Sequence, residues 1–161
     1  MSARLLAALE GYLARKGLWH RFLDKAETVH TKDAAQAAGV ELSRVTKNLV
    51  SVTVEGSYAL LVIPGDRRVD LAASARALGT SSVRLVPFET AESVSGYPPG
   101  GTPTVGHRTE MRLLFDRCLM GYDTFYCGGG TRTRLVELKT KEVLEATGAV
   151  VAEICAKQDA A

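Results

Sequence analysis

The sequence predicts an α/β fold, a single domain in which helices flank a mixed, strongly curved and barrel-like β-sheet. Segments with helical spacing and segments of strand type alternate irregularly along the 161 residues, instead of in regular βαβ order. Turn signals such as Glu55-Gly56-Ser57 join neighbouring strands as hairpins. Hairpins combined with irregular alternation favour a mixed sheet over a purely parallel one. An apolar fraction of 46% with 24% charged residues is typical of a globular chain with one core.

The first half of the chain opens with an amphipathic helix, because apolar residues recur at helical spacing from Leu5 to Leu13 and Lys16-Gly17 can end it. A short strand is predicted at residues 19–23. Thr31 is predicted to cap a helix that runs to Ala38 and ends at Gly39. β-branched and apolar residues then predict a hairpin after one helical turn, with the turn at residues 41–46 and the strands at residues 49–54 and 58–63.

The second half is divided by caps, glycines and prolines. Pro64-Gly65-Asp66 closes the hairpin, Asp70 is predicted to cap a helix over residues 71–78, and Gly79 ends that helix. Thr140 is predicted to cap a last helix that ends at Gly148. Short apolar runs predict strands at residues 83–87, 111–116, 124–127, 134–138 and 150–154. Residues 90–95 are predicted to form a helical turn.

Composition limits the cellular setting and the class of chemistry. No apolar run approaches the length that spans a membrane, and the early acid Glu10 argues against a secretory signal. The three cysteines form neither a close metal-binding pair nor a disulfide framework. We therefore expect a reducing, intracellular compartment, the cytoplasm, with no metal and no cofactor; an organellar transit peptide is the alternative that the N-terminus leaves open. A net charge of +2 predicts only modest attraction to nucleic acid.

Two glycine-rich segments predict a pocket lined by backbone. Residues 96–107 contain four glycines and three prolines, and Cys127-Gly128-Gly129-Gly130 lies downstream. Glycine supplies positive φ and proline fixes φ, so such a loop follows one particular path. It is not a phosphate-binding Walker loop, which needs Gly-Lys-Ser/Thr, and it lacks the strand and helix context of a dinucleotide fingerprint.

Lys47 is the ionisable residue of most interest. It precedes an apolar strand, which places its ammonium at the end of the sheet. From position alone, a solvated lysine at a strand end is the simpler interpretation. A nucleophilic Cys127 would need a base, and His107 is the histidine beside a pocket segment. A small residue in the core or the pocket wall is the favoured interpretation of Cys127.

Several segments together resemble the YbaK/ProX family, which comprises free-standing aminoacyl-tRNA deacylases and the editing insertion domain of bacterial prolyl-tRNA synthetase. The segments are residues 31–40, Lys47-Asn48-Leu49, residues 64–71, residues 96–101 and Gly128-Gly129. The resemblance covers about residues 19–154. It implies an N-terminal helix at residues 1–18, packed on an editing domain at residues 19–161. The chain departs from the family at Thr104, where many members have proline.

The resemblance implies a hydrolase that cleaves the ester bond of mischarged aminoacyl-tRNA in trans. It implies a catalytic centre of Lys47, Gly100 and Gly101, and we expect substrate contacts from a wider set: Asn48, Thr102, His107, Gly128, Gly129 and Arg132. Asparagine at position 48 resembles the branch that removes alanine, whereas threonine occurs there in the branch that removes cysteine. The expected partners are the acceptor end of tRNA and an aminoacyl-tRNA synthetase.

An aminoacyl ester is already activated, so its hydrolysis needs a positioned water and a polarised carbonyl more than a nucleophilic triad. Backbone N–H groups at Gly100-Gly101 or Gly128-Gly129 could hold the oxyanion, and Lys47 could hold a phosphate or the hydroxyls of the terminal nucleotide. The alternatives are a non-catalytic module that binds aminoacyl-tRNA or a synthetase, a cysteinyl-tRNA deacylase, and a hydrolase of small esters. A requirement for the RNA would separate the last of these from the others.

Overall fold

The computed structural model describes residues 3–158, and its helices and strands confirm the α/β class. The helices are α1 (Ala3–Lys16), α2 (Thr31–Ala38), α3 (Leu71–Leu78), α4 (Phe88–Ser95) and α5 (Thr140–Thr147). The strands are β1 (His20–Asp24), β2 (Thr46–Thr53), β3 (Tyr58–Pro64), β4 (Val83–Leu85), β5 (Arg112–Asp116), β6 (Thr124–Gly128), β7 (Arg134–Lys139) and β8 (Val150–Ala152). Two 3-10 turns lie at Leu42–Arg44 and Arg117–Gly121. The predicted helical segment at 1–18 and editing domain at 19–161 include residues 1, 2 and 159–161, which lie outside the described residues.

The strands form two sheets. β1, β7 and β6 make an antiparallel sheet of three strands. The other sheet has the order β4-β2-β3-β5-β8 and is mixed, since β5 is parallel to both of its neighbours. The predicted hairpin is its centre, with Thr46 of β2 opposite Pro64 of β3. The expectation of a mixed sheet is therefore confirmed.

The expectation of a barrel-like sheet is wrong for residues 3–158, in which neither sheet closes on itself. β3 pairs with β2 along almost its whole length, so other strands can reach only the opposite edge of β2. β4 takes that edge at residues 51–53, whereas the other sheet reaches the start of β2 through one isolated bridge between Val45 and Tyr126. Because these contacts fall at opposite ends of β2, the two sheets meet without merging.

β3 is buried on both faces, which explains its continuous apolar run. Leu60 and Val62 pack in the main core cluster, which Leu9 of α1 also enters. Leu61 and Ile63 face the other way, into a second cluster beneath α3. This alternation follows from the two-residue period of a strand. A third, smaller cluster lies between α2 and the sheet of three strands.

Two of the predicted helix caps are shifted by one residue. Asp70 caps α3 as predicted, and its side chain accepts a hydrogen bond from a backbone N–H in the first turn, 3.0 Å away. Thr31 and Thr140, predicted as caps, are instead the first residues of α2 and α5. The cap positions are His30 and Lys139, and neither makes a side-chain capping bond.

The helices are short, and α1 is the longest of those described, with 14 residues. Within residues 3–158, no helix has both the length and the apolar character needed to cross a membrane.

Asp116 is a buried carboxylate that attaches the C-terminal segment to β5. Its oxygens accept backbone N–H bonds from Cys118 and Ile154, each 3.0 Å long. Burial raises the pKa of Asp116, but these bonds, with further bonds from the thiols of Cys155 and Cys118, outweigh it and hold the pKa below its usual value. The ionised carboxylate therefore stabilises the folded state.

We predict that Asp116→Ala lowers the free energy of unfolding by about 2 to 4 kcal/mol, because two buried N–H donors lose their acceptor. In the parent protein, the stabilisation is fully present above about pH 4 and is lost as the pH falls through the lower folded-state pKa. Urea unfolding between pH 3 and pH 7 measures both effects.

Glu153→Ala is the matched control, because Glu153 is 78% exposed and its ion pair with Arg117 lies in solvent. Its free energy of unfolding should change by less than about 0.5 kcal/mol. Equal effects of the two substitutions would show that the Asp116 bonds contribute nothing beyond a surface charge.

Candidate functional site

The candidate site lies at a gap in the strand pairing of β2. β4 covers one end of its free edge and the other sheet touches the opposite end, so residues 47–49 pair with neither. Two hydrogen bonds join β2 to the segment that contains β4: the Val54 N–H donates to a carbonyl of that segment, and the Val50 carbonyl accepts from one of its N–H groups. Backbone groups alternate between the two edges of a strand. The backbone N–H and C=O of Asn48 therefore point into the gap.

β6 presents backbone groups from the other side of the gap. The N–H of Gly129 bonds to the carbonyl of Arg134, on the side of β7. By the same alternation, the N–H of Gly128 points away from β7 and towards β2. The Tyr126 carbonyl has the same direction, and it accepts a bond from the Thr46 hydroxyl of β2 at 3.3 Å.

A cavity of about 560 Å³ occupies the gap. This volume lies within the range of about 300 to 1,000 Å³ that is typical of small-molecule sites. The expected lining by backbone is found in part, at Gly65, Gly100 and Gly128. Apolar side chains form much of the remaining wall, so the pocket is less dominated by backbone than predicted.

The wall of the cavity carries an excess of positive charge. Four cationic residues and one acidic residue line it: Lys32, Lys47, Arg67, Arg68 and Asp66. Arg67 places its carbonyl beside Lys47, and its guanidinium donates to the Ala156 carbonyl at 3.1 Å. The first residues of α2 also border the cavity, and the amino end of a helix adds positive potential. The electrostatics of this wall therefore favour an anionic ligand.

Lys47 lies at the end of the sheet, as predicted, and its side chain is half-buried in the cavity wall. The turn after β3 brings Arg67 over it, and the Lys47 ammonium donates to the Arg67 carbonyl at 2.8 Å. An ammonium has three N–H donors, so this bond orients the group and leaves two donors for a ligand.

Asn48 is held by a network of hydrogen bonds. Its Nδ2 donates to the Thr46 hydroxyl at 3.0 Å and to the Thr102 carbonyl at 3.3 Å. Its Oδ1 accepts from the hydroxyl of the buried Thr104, at 2.7 Å. These partners fix the direction of the amide, and they attach the glycine-rich loop to β2.

The glycines of the two predicted segments allow backbones to touch. A Cβ on Gly128 would lie 2.5 Å from the carbonyl carbon of Gly101, and a Cβ on Gly101 would lie 2.8 Å from that of Thr131. Gly100 has a φ of +87° and packs against the segment before α2. The N–H of Gly101 donates to the Pro98 carbonyl at 2.9 Å. Of the expected donors, Gly101 and Gly129 are thus already engaged, whereas Gly128 faces the gap.

Five of the predicted residues line the cavity, namely Lys47, Asn48, Gly100, Thr102 and Gly128, whereas Gly101, Gly129, His107 and Arg132 do not. His107 Nε2 lies 2.7 Å from the Pro103 carbonyl. Burial lowers the pKa of His107 to about 4, so the ring is neutral at physiological pH and can donate this bond. Arg132 Nε donates to the Pro99 carbonyl at 2.7 Å. Both side chains brace the glycine-rich loop from outside.

Cys127 is fully buried in the main core cluster. Burial raises the pKa of its thiol to about 11, although contacts with Thr104 lower it slightly. A neutral, inaccessible thiol is a poor nucleophile, and His107 is bonded elsewhere. The interpretation of Cys127 as a core residue is therefore correct, and the Cys127–His107 pair is excluded.

Four further residues line the cavity although no sequence pattern predicted a role for any one of them: Lys32, Arg67, Arg68 and Phe88. The hairpin register could have indicated Arg67, since antiparallel pairing places the residues after β3 beside the start of β2. Phe88 was missed because the helical turn was predicted to begin at residue 90, whereas α4 begins at residue 88.

Comparison with known proteins shows the family and the fold of this chain. Residues 25–146 match the family model of the aminoacyl-tRNA editing domain. A proposed Cys-tRNA(Pro)/Cys-tRNA(Cys) deacylase, EbsC of Enterococcus faecalis, is 26% identical over 86% of this chain and 85% of its own length. The uncharacterised protein YwhH of Bacillus subtilis is 30% identical over 79% of this chain and 83% of its own. A crystal structure of a proposed trans-editing enzyme for prolyl-tRNA synthetase superposes with a TM-score of 0.83, at 32% identity, over 98% of this chain and 100% of that one.

We predict that Gly128→Ala lowers the free energy of unfolding by about 1 to 3 kcal/mol, because the new methyl group meets the backbone of residues 101 and 102. Gly121→Ala is the matched control, since nothing lies within 4 Å of its Cβ position and its φ is not positive. Thermal and urea unfolding measure both variants. If the two are equally stable, the close contact between the loop and β6 is not required.

Proposed function

Because the chain belongs to the aminoacyl-tRNA editing domain family, the YbaK/ProX family, we propose that it hydrolyses the ester bond of mischarged aminoacyl-tRNA in trans. The observation that carries this proposal is the gap beside β2, where Lys47, Asn48 and free backbone groups line one cavity. The site lies within the part of the chain that matches the family model. Its positive wall suits the polyanionic end of an RNA.

The reaction needs an attacking oxygen and a place for the oxyanion. Water, positioned with the help of the neighbouring hydroxyl of the terminal ribose, adds to the ester carbonyl; the bond to the ribose oxygen then breaks, and the proton that the water loses passes to that oxygen. We propose that the backbone N–H groups of Asn48 and Gly128, which point into the gap, hold the oxyanion. Fixed donors of this type stabilise developing charge without reorganising.

Lys47 binds the terminal nucleotide through a phosphate or its hydroxyls. The bond from its ammonium to the Arg67 carbonyl holds the charge at the cavity wall before the ligand arrives. Gly100 and Thr102 form part of the wall around the aminoacyl group. Gly101 acts indirectly, because it lets the loop backbone pack against residue 131. His107, Gly129 and Arg132 act indirectly, by holding the segments that carry these groups.

The proposed amino acid is alanine, with cysteine as the second candidate. Asn48 resembles the branch of the family that removes alanine, and its amide is fixed in the cavity wall. The name of the Enterococcus relative supports cysteine instead. A synthetase gains only about 1 to 3 kcal/mol of discrimination from one methylene, so small amino acids are the substrates that need a second, hydrolytic site.

The proposed partners are the acceptor end of tRNA and a prolyl-tRNA synthetase, as the name of the related crystal structure suggests. A non-catalytic module would bind the same RNA without releasing the amino acid. A hydrolase of small esters would cleave alanine ethyl ester as fast as alanyl-tRNA. Release that depends on the RNA supports the deacylase.

We predict that Lys47→Ala slows single-turnover deacylation by about 100-fold or more, because a preorganised charge is lost from the site. Its free energy of unfolding should fall by no more than about 1 kcal/mol, since one hydrogen bond disappears. Lys141→Ala removes an exposed lysine of α5 and serves as the control. Undiminished turnover of a folded Lys47→Ala variant would refute the assignment.

We also predict that alanyl-tRNA is deacylated fastest in a panel of alanyl-, cysteinyl-, seryl- and prolyl-tRNA at fixed ionic strength. The proposed reason is steric, since backbone packed closely around the amino acid would exclude bulkier side chains by clash. Single-turnover release of labelled amino acid measures the order. A preference for cysteine would assign the chain to the other branch, and faster release of proline than of alanine would contradict the small-pocket argument.

A further inference from the structure

Phe88 exposes an unusual amount of apolar surface at the edge of the cavity. Its side chain is 65% exposed, and the nearby cavity residues Leu85 and Val29 are 39% and 37% exposed. These are three of the six most exposed large hydrophobic residues in the described part of the chain, and all three line one cavity. Apolar surface concentrated in this way marks a binding site.

The position of Phe88 in α4 directs its ring towards the cavity. Phe88 and Ala91 are three residues apart and both line the cavity, so they share one face of the helix. The buried residues of this helix, Val94 and Ser95, lie at its other end. Phe88 belongs to none of the core clusters formed by the described residues. The ring therefore has no structural partner that would explain it.

The size of the cavity calls for a ligand larger than a small aminoacyl group. A volume of about 560 Å³ suits a ligand of roughly drug size. The cations Lys32 and Arg68 of the wall offer sites for phosphate or hydroxyl groups, and the exposed aromatic ring offers a face for stacking. An aromatic face beside cations is the combination that binds a nucleotide.

We propose that the Phe88 ring is the stacking platform for the terminal nucleobase of the acceptor end, with Leu85 and Val29 adding apolar surface in the same cavity. The inference rests on the proposed function and adds the residue that positions the nucleoside. Stacking on Phe88 would place the ribose between the rim and Lys47, so that the ester reaches the gap beside Asn48. Phe88 is thus a positioning residue and takes no part in the chemistry.

The test uses two alanyl-RNA minihelices, one ending in adenosine and one ending in an abasic ribose. Base stacking of this kind contributes about 1 to 3 kcal/mol, which corresponds to a change of about 5- to 150-fold in kcat/KM. For Phe88→Ala, kcat/KM on the adenosine minihelix should fall within this range. On the abasic minihelix the variant and the parent should be equal. Phe88→Trp should restore the rate on adenosine.

Val54→Ala is the matched control, because Val54 is 64% exposed and lies away from the cavity. It should leave both rates unchanged. An equal loss on both minihelices in Phe88→Ala would indicate a structural role, and no loss on either would remove Phe88 from the site. Either result overturns the proposal.

A binding measurement separates this inference from the proposed activity. Amide-linked, non-hydrolysable versions of the two minihelices are titrated by fluorescence anisotropy. Weaker binding of Phe88→Ala to the adenosine version alone supports the stacking platform, even if the parent hydrolyses neither ester. Equal affinity of parent and variant for the adenosine version overturns it, whether or not the parent is a deacylase.

Discussion

The site depends on the way β2 divides its two edges among its neighbours. β3 occupies one edge almost completely, so β4 and the second sheet must share the other. Each takes one end, and the middle of the strand is left with backbone groups that no other strand satisfies. In most sheets such groups would be paired. Here they open onto a cavity, which gives a ligand fixed hydrogen-bonding groups that need no separate loop to hold them.

The glycine-rich loop completes the wall because several contacts fix its path. Gly101 and Gly128 let the loop backbone lie directly on β6. Arg132 and His107 bond to loop carbonyls from outside, and Thr104 bonds to Asn48 from inside. Most of these bonds end on main-chain carbonyls, so the loop is held along its length. A rigid wall loses little entropy when a ligand binds, which favours affinity and exact placement.

The sequence was most informative where a local rule fixes the structure. The hairpin at residues 46–64 and the Asp70 cap follow from apolar alternation and from capping chemistry, and both are found. The position of Lys47 at the end of the sheet follows from the same pattern. The separation into two sheets could not be predicted, because it depends on which strands pair far apart in sequence. The cavity wall could not be predicted for the same reason. The contacts of Arg132 and the cavity position of Phe88 depend on tertiary packing, which leaves no periodic pattern in the sequence.

Thr104 connects the glycine-rich loop to the Asn48 amide through one hydrogen bond. Many members of the family have proline at this position, and proline has no hydroxyl to offer the Asn48 amide. In this chain the hydroxyl is present and sets the direction of that amide. The donors proposed for the chemistry belong to the main chain, whereas the proposed contact with the amino acid is the Asn48 side chain, which the buried Thr104 orients. A library that randomises positions 48 and 104 together, with the glycines kept, would therefore explore new amino-acid selectivities without dismantling the hydrolytic centre.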